Sequence, residues 1–396
     1  MRTRTFRLTA FLSLVFQLAP LCASSPELQL AGDYEAFFRK HITQEKILGA
    51  AFVVVSGDRI IRVGTIGHTD TSASREIDEN TAFRVASVSK TFAAGLTGVL
   101  VTEGEFHWDD PVTRYVPDFR IDGDSNQVMI RHLLGQSTGL MPHAYDNLIE
   151  DGVDMERIQQ QFRKLSYICS PGHCYSYQNS VFSMIEPVIE EVTSLSYADL
   201  MEQKIFRPLD MRTASVGYQA FVSNPNHAEP HVLVRSGRWK TVKVLPNYYR
   251  VAPAAGVNAS ALDMGKWLMA QLGSHPEVLK PEVIAALTRP RVKTRREIYR
   301  RHWKNLLTEA HYGLGWRIYQ LGEHQIAYHS GWVSGFRADV AWSEEHDLGF
   351  AILLNAEANS INELTTTFWE MAFTRLGTVA LQNAQKTLTA AGRTSP

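Results

Sequence analysis

Phe83-Arg84-Val85-Ala86-Ser87-Val88-Ser89-Lys90-Thr91-Phe92 is a junction: a strand-like run ends in it, and an apolar segment at helical spacing, Phe92, Leu96, Val99 and Leu100, starts directly after it. At the junction stands Ser-x-x-Lys. Residues three apart share one face of a helix, which sets the Ser87 hydroxyl beside the Lys90 ammonium. A serine hydroxyl becomes a good nucleophile once a neighbour takes its proton, and a lysine shielded from water can lose its charge and do so. A helix start also offers free backbone N–H groups, that of Ser87 among them, to an oxyanion. The plain alternative makes Ser87 an N-cap and Lys90 a solvated first-turn lysine.

The 396 residues are 44% hydrophobic and 20% charged, enough for a large core in one or two domains. A net charge of −1 argues against nucleic acid as the main partner, because neutralising phosphates takes a basic surface. Arg2, Arg4 and Arg7, the apolar run Leu8 to Leu21 and the small residues Ala23, Ser24 and Ser25 have the layout of a secretory signal peptide, expected over 1–24. Leu21 stands where a lipoprotein acylated on Cys22 carries a small residue. The expected product is periplasmic or secreted and without a membrane span. In an oxidising compartment Cys169 and Cys174 can close a local disulfide, while a metal site with His173 has only three candidate ligands.

Beyond the signal, 31–47 reads as an amphipathic helix and 50–64 as a hairpin turning at Gly57-Asp58. From 87 to about 248 helical stretches dominate, at 87–104, 126–134, 153–164 and 179–206. Helix signals at 260–272 and 281–287 then give way to a meander over 315–321, 325–330, 337–342 and 348–354, and the chain ends in a helix over 361–386. The expected architecture is α+β: a discontinuous sheet domain over 30–86 and 255–386, interrupted by a mainly helical domain over 87–254. The basic run from Arg289 to Lys304 reads as a solvated loop, with attraction to an anionic surface as the alternative.

A serine–lysine pair needs a second proton carrier and a second oxyanion donor. Tyr177-Gln178-Asn179, after Pro171-Gly172, offers a phenol that can shuttle protons if adjacent cations lower its pKa, and an amide that can bind substrate. Tyr145-Asp146-Asn147 has the same pattern and serves as a decoy. His329-Ser330-Gly331-Trp332 closes a meander strand; the glycine lets the backbone approach substrate and the Trp332 N–H can complete the oxyanion hole.

Ser-Val-Ser-Lys, Tyr-Gln-Asn and His-Ser-Gly, in this order and approximate spacing, resemble class C β-lactamases and related DD-peptidases and esterases. Segments 129–140, 205–211, 254–264 and 349–355 also look like that family. The resemblance, over roughly 32–375, implies an antiparallel sheet flanked by helices with an all-helical domain and the site between them. It also implies Ser87 as the acylated serine, Lys90 as its activator, Tyr177 as general base and Asn179 as substrate-binding, with no cofactor. His329, read as holding substrate or tuning the lysine–tyrosine pair, falls where many class C β-lactamases have lysine and some DD-peptidases and esterases of the family have histidine. A histidine there is only partly charged near neutral pH, so His329→Lys is expected to favour carboxylate-bearing β-lactams.

Gly135-Gln136-Ser137-Thr138-Gly139 matches the nucleophile-elbow pattern of α/β-hydrolases but follows an apparent helix rather than a strand. No His-Glu-x-x-His cluster points to metal hydrolysis. The reading that remains is an exported serine hydrolase working through an acyl-enzyme on a β-lactam, D-alanyl peptide or ester. The alternative is a penicillin-binding or sensor protein that acylates without efficient turnover.

Overall fold

A computed structural model of the chain describes residues 25–391, with side-chain surroundings as far as 377. The expected signal segment lies outside the described residues. Helix α1, Pro26–Gln44, starts ahead of the expected position because Ser25 accepts the Leu28 N–H at 3.3 Å and Pro26 occupies the first turn. Strands β1 (Gly49–Ser56) and β2 (Arg59–Gly67) form the hairpin, turning at Gly57 in the left-handed region with φ 58°. Then come β3 (Phe83–Arg84), helix α2 (Ser89–Glu103), β4 (Ser215–Val216), β5 (His231–Leu233), β6 (Trp239–Thr241) and β7 (Val257–Ala259). The C-terminal strands are β8 (Val292–Lys293), β9 (Leu307–Tyr312), β10 (Arg317–Leu321), β11 (His324–Val333), β12 (Phe336–Ser343) and β13 (Leu348–Leu354).

The N-terminal hairpin and the C-terminal meander share one eight-stranded antiparallel sheet, ordered β2-β1-β13-β12-β11-β10-β9-β8. Both faces are covered, which is why β1 and β13 are apolar without alternation. Successive side chains still point to opposite faces. Ala51, Val53 and Val55 face the core shared with the helical region, whereas Ala50, Phe52 and Val54 pack toward α1 and the C-terminal helix Ile361–Ala391.

Helix α2 is buried from Ser89 to Leu100 and runs through the first core. Two glycines make this possible: a Cβ on Gly95 would stand 2.6 Å from Trp267, and one on Gly98 2.4 Å from Val283. Helices Ala261–Gln271 and Pro281–Thr288 therefore lie directly on it.

The expected helix over 179–206 is broken into shorter pieces, the main break being Ser194 in the left-handed region with φ 56°. Strands β8 and β9, not expected from the sequence, fall partly in the basic run. That run is an edge strand and a turn rather than a free loop, because Val292 and Lys293 pair with Tyr312 and His311 of β9.

Candidate active site

Ser87 lies in the 3₁₀ turn Ala86–Val88, directly before α2, and its side chain caps neither segment. Ala86 is held in the left-handed region at φ 50°, a strained conformation for a residue with a Cβ and one met more often at working sites than in ordinary turns. Lys90, one turn on, is fully buried. The solvated-lysine alternative therefore fails.

The Lys90 Nζ stands 3.5 Å from Ser87 Oγ, donates to Asn179 Oδ1 at 2.7 Å and to the Ala254 carbonyl at 3.1 Å. Burial pushes its pKa well below the usual lysine value; the carboxylate of Asp146 opposes this and the Arg317 guanidinium adds to it. An amine that burial makes easier to deprotonate is thus within reach of the serine hydroxyl. Asp146 comes from the decoy Tyr145-Asp146-Asn147 and holds the Asn179 Nδ2–H at 3.0 Å. The decoy takes part in the site through its middle residue, as an orienting carboxylate.

Tyr177 and Asn179 are fixed from behind by Gln136, whose side chain accepts the Gln178 N–H at 2.6 Å and donates to the Gln178 carbonyl at 3.0 Å. Ser137, its neighbour in the elbow-like pattern, is buried after the short helix Ile130–Leu134 with no strand before it. Cys169 and Cys174 form a disulfide that closes the loop leading into Tyr177.

The Tyr177 phenol corrects an expectation. Burial raises its pKa more than Arg317 and the Ser87 hydroxyl lower it, so the group rests protonated. Burial thus moves the two groups in opposite directions, Lys90 toward losing its proton and Tyr177 toward keeping it.

His329 corrects two more. It is fully buried, and burial together with the cations of Arg317 and Lys90 pushes its pKa well below the usual histidine value. It is neutral, not partly charged. Its Nδ1 lies 2.9 Å from the Ser330 carbonyl, an acceptor only, which puts the proton on Nδ1 and leaves Nε2 to accept the Tyr312 hydroxyl at 3.0 Å. His329 stands behind the cleft wall, while Ser330 and Trp332 line the cleft.

Gly331 brings β11 against the segment that carries Ser87: a Cβ there would stand 2.1 Å from the Val85 carbonyl. The close approach that the glycine permits is to protein backbone. Ser334 and Gly335 make a two-residue turn after the Val333–Phe336 pair. Ladder bonds alternate outward from that closing pair, so Trp332, opposite Arg337, turns its N–H away from β12. On that side β10 pairs no further than Tyr328, leaving the edge open to the cleft that Ser87 and Trp332 both line. Trp332 is 61% exposed, and its indole is anchored through Nε1 to Glu357 at 3.1 Å.

The cleft measures about 1340 Å³ and is markedly cationic. Arg84, Lys243, Arg291, Lys293, Arg295, Arg296, Arg300, Arg317 and Arg337 line it, against four carboxylates, Asp146, Glu150, Glu297 and Glu357. The basic run expected in solvent forms one wall. Arg317 and Arg300 share the one largely buried carboxylate of Glu297, which lies 2.9 Å and 3.0 Å from them and is held down at a pKa of about 2. Among the described residues Arg84 has no such partner: it is buried, stacks 4.1 Å from the Tyr249 ring centroid, and leaves Nε and Nη2 without acceptors.

With this geometry in place, the likeness to known proteins has a structural meaning. The family model described as Beta-lactamase matches residues 34–367. Esterase EstB of Burkholderia gladioli is 31% identical over 211 residues, 49% of this chain and 54% of that protein. A Beta-lactamase of Escherichia coli (strain K12) is 26% identical over 231 residues, 58% of each chain. The chain thus spans little more than half the length of these two curated relatives. The octameric penicillin-binding protein homologue from Pyrococcus abyssi superposes with a TM-score of 0.73 at 22% identity, covering 82% of this chain and 73% of that one, and shares the fold. The match from Asp33's neighbour Tyr34 to Thr367 takes in the sheet, α2 and each of the segments that meet at Ser87, so the chain belongs to the Beta-lactamase family.

Proposed function

We propose that this chain is an exported serine hydrolase that acts through an acyl-enzyme on an ester or amide, with an acyl donor carrying negative charge. The observation that carries the reading is the buried Lys90, its pKa driven down, 3.5 Å from a Ser87 hydroxyl that caps no helix. Neutral Lys90 accepts the hydroxyl proton as Ser87 Oγ attacks the carbonyl. The N–H groups of Ser87 and Trp332 receive the oxyanion, and the Tyr177 phenol protonates the leaving group. Water then attacks the acyl-enzyme with the same groups acting in reverse. Asn179, with Oδ1 given to Lys90 and one Nδ2–H to Asp146, keeps its second N–H for a substrate carbonyl.

The surplus of cations in the cleft favours a carboxylate-bearing substrate over a neutral one, and Arg84, which lines the cleft without an ion-pair partner among the described residues, is the cation to test. The disulfide Cys169–Cys174 supports export into an oxidising compartment, as does the N-terminal layout. The test is turnover of matched esters with and without a carboxylate on the acyl side, in wild type and Arg84→Gln. A preference for the charged ester that Arg84→Gln abolishes supports the reading; equal kcat/KM for both esters in the wild type contradicts it.

A further inference from the structure

At the far end of β11 from the cleft, two turns meet. One, Gly322-Glu323, leads into His324; the other, between β12 and β13, carries Glu345 and His346. Sheet order places β10, β11, β12 and β13 side by side, so both turns lie at the same end of the sheet. His324 Nδ1 is 3.0 Å from His346 Nε2 and 3.2 Å from Glu345 Oε1, and His346 Nε2 is 3.6 Å from the same oxygen.

Three atoms with lone pairs converge on one point. A proton shared between any two of them leaves the third lone pair facing an occupied acceptor, whereas one cation at the centre satisfies all three. For bonds of about 2.0–2.1 Å, the edge of a tetrahedron is about 3.3 Å, and the three separations bracket that value. Two imidazole nitrogens and a carboxylate oxygen form a donor set for Zn²⁺, while Ca²⁺ and Mg²⁺ take oxygen ligands. Phe373 fixes the rings: its centroid is 4.3 Å from that of His324, nearly parallel, and 5.2 Å from that of His346. The same two turns carry Glu323, Glu344 and Asp347 and no lysine or arginine, which makes the local field favourable to a cation.

We propose that His324, Glu345 and His346 form a structural Zn²⁺ site with water in the fourth position, which clips the β10–β11 turn to the β12–β13 turn. The half-exposed Glu345 carboxylate leaves that position open to solvent. Five residues of extended strand separate His324 from His329, about 17 Å, so the ion takes no part in the acyl chemistry. No spacing motif announces the site, because its ligands come from turns 21 residues apart.

The experiment uses the full mature chain, free of any affinity tag and stripped with EDTA, titrated with Zn²⁺ by calorimetry and with Co²⁺ by visible absorption. The expected result is one equivalent of Zn²⁺, tetrahedral Co²⁺ bands, and a Tm raised by about 3 °C at a hundredfold excess of ion over Kd. His324→Gln and His346→Gln should each weaken binding at least tenfold while leaving esterase turnover unchanged, which shows that the variants fold. Absence of saturable binding overturns the proposal. So does stoichiometric Zn²⁺ that both variants retain, which would place the ion elsewhere.

Discussion

Lys90 Nζ lies 2.7 Å from Asn179 Oδ1 and 3.5 Å from Ser87 Oγ, so the amine at rest is held by the asparagine and is only in reach of the serine. The Asn179 amide is in turn oriented by Asp146, itself contacted by His143 at 2.8 Å. This chain of contacts sets the position of the base, and burial sets its charge.

The pH dependence of turnover follows from those two facts. Lys90 has its pKa lowered and must be neutral to act, so kcat/KM rises with pH through an inflection well below the ordinary lysine value. Tyr177 has its pKa raised and acts protonated, so no fall in rate should set in below about pH 10. Lys90→Arg keeps a cation that does not deprotonate and should lower kcat/KM by about 10³-fold. Stopped-flow hydrolysis of a chromogenic ester from pH 5 to 10 gives the profile; an inflection at the ordinary lysine pKa would contradict it.

His329→Lys should not improve turnover of carboxylate-bearing β-lactams, in contrast to the expectation from the sequence. The position is fully buried, beside Arg317 and Lys90, and behind the cleft wall. A lysine ammonium there would be a further charge in fully buried surroundings that already hold Arg317. Destabilisation of at least about 2 kcal/mol in a denaturant titration is the expected outcome.

Glu297 should prove a keystone of the cationic wall. Its folded pKa of about 2 is depressed below the unfolded value, so its contribution is fully present above the ordinary glutamate pKa and is lost as pH falls toward 2. Glu297→Gln leaves Arg317 and Arg300 uncompensated and should cost about 3 kcal/mol at neutral pH. Chemical denaturation at pH 7 and pH 3 should show the gap between variant and wild type narrowing at the lower pH.

The charge of the cleft should act on KM. Reversing Arg295 and Arg296 together to glutamate should raise KM severalfold for a carboxylate-bearing ester, and added salt should shrink the difference. A neutral ester of the same shape should be unaffected. Steady-state kinetics at low and high ionic strength make the comparison.

Much of the fold was legible because its signals are local. The β1–β2 hairpin turns at Gly57, β13 was expected over its observed span, and Ser-x-x-Lys marks the strand-to-helix junction by itself. What escaped is what tertiary contact decides. Strands β8 and β9 mix charged and apolar residues and become strands through pairing; Ser194 breaks a helix whose periodicity continues past it. The charge states of Tyr177 and His329 went astray for the same reason: neighbours in sequence show which cations are near, and only the fold shows that burial outweighs them. Asp146, Gln136 and the wall of arginines also act across long sequence separations, and the decoy pattern at Tyr145-Asp146-Asn147 was the one local hint of Asp146.

The most direct test of Ser87 as nucleophile is intact-mass spectrometry of the protein mixed with a carboxylate-bearing activated ester, and separately with a penicillin, followed by peptide mapping. The expected result is an acyl adduct on Ser87 that forms and then disappears as the ester is consumed, and no adduct in Ser87→Ala with unchanged circular dichroism. A persistent penicillin adduct on Ser87 would identify slow deacylation of that compound within the same mechanism. Steady hydrolysis by Ser87→Ala, or an adduct mapping to another residue, would contradict the assignment of the nucleophile.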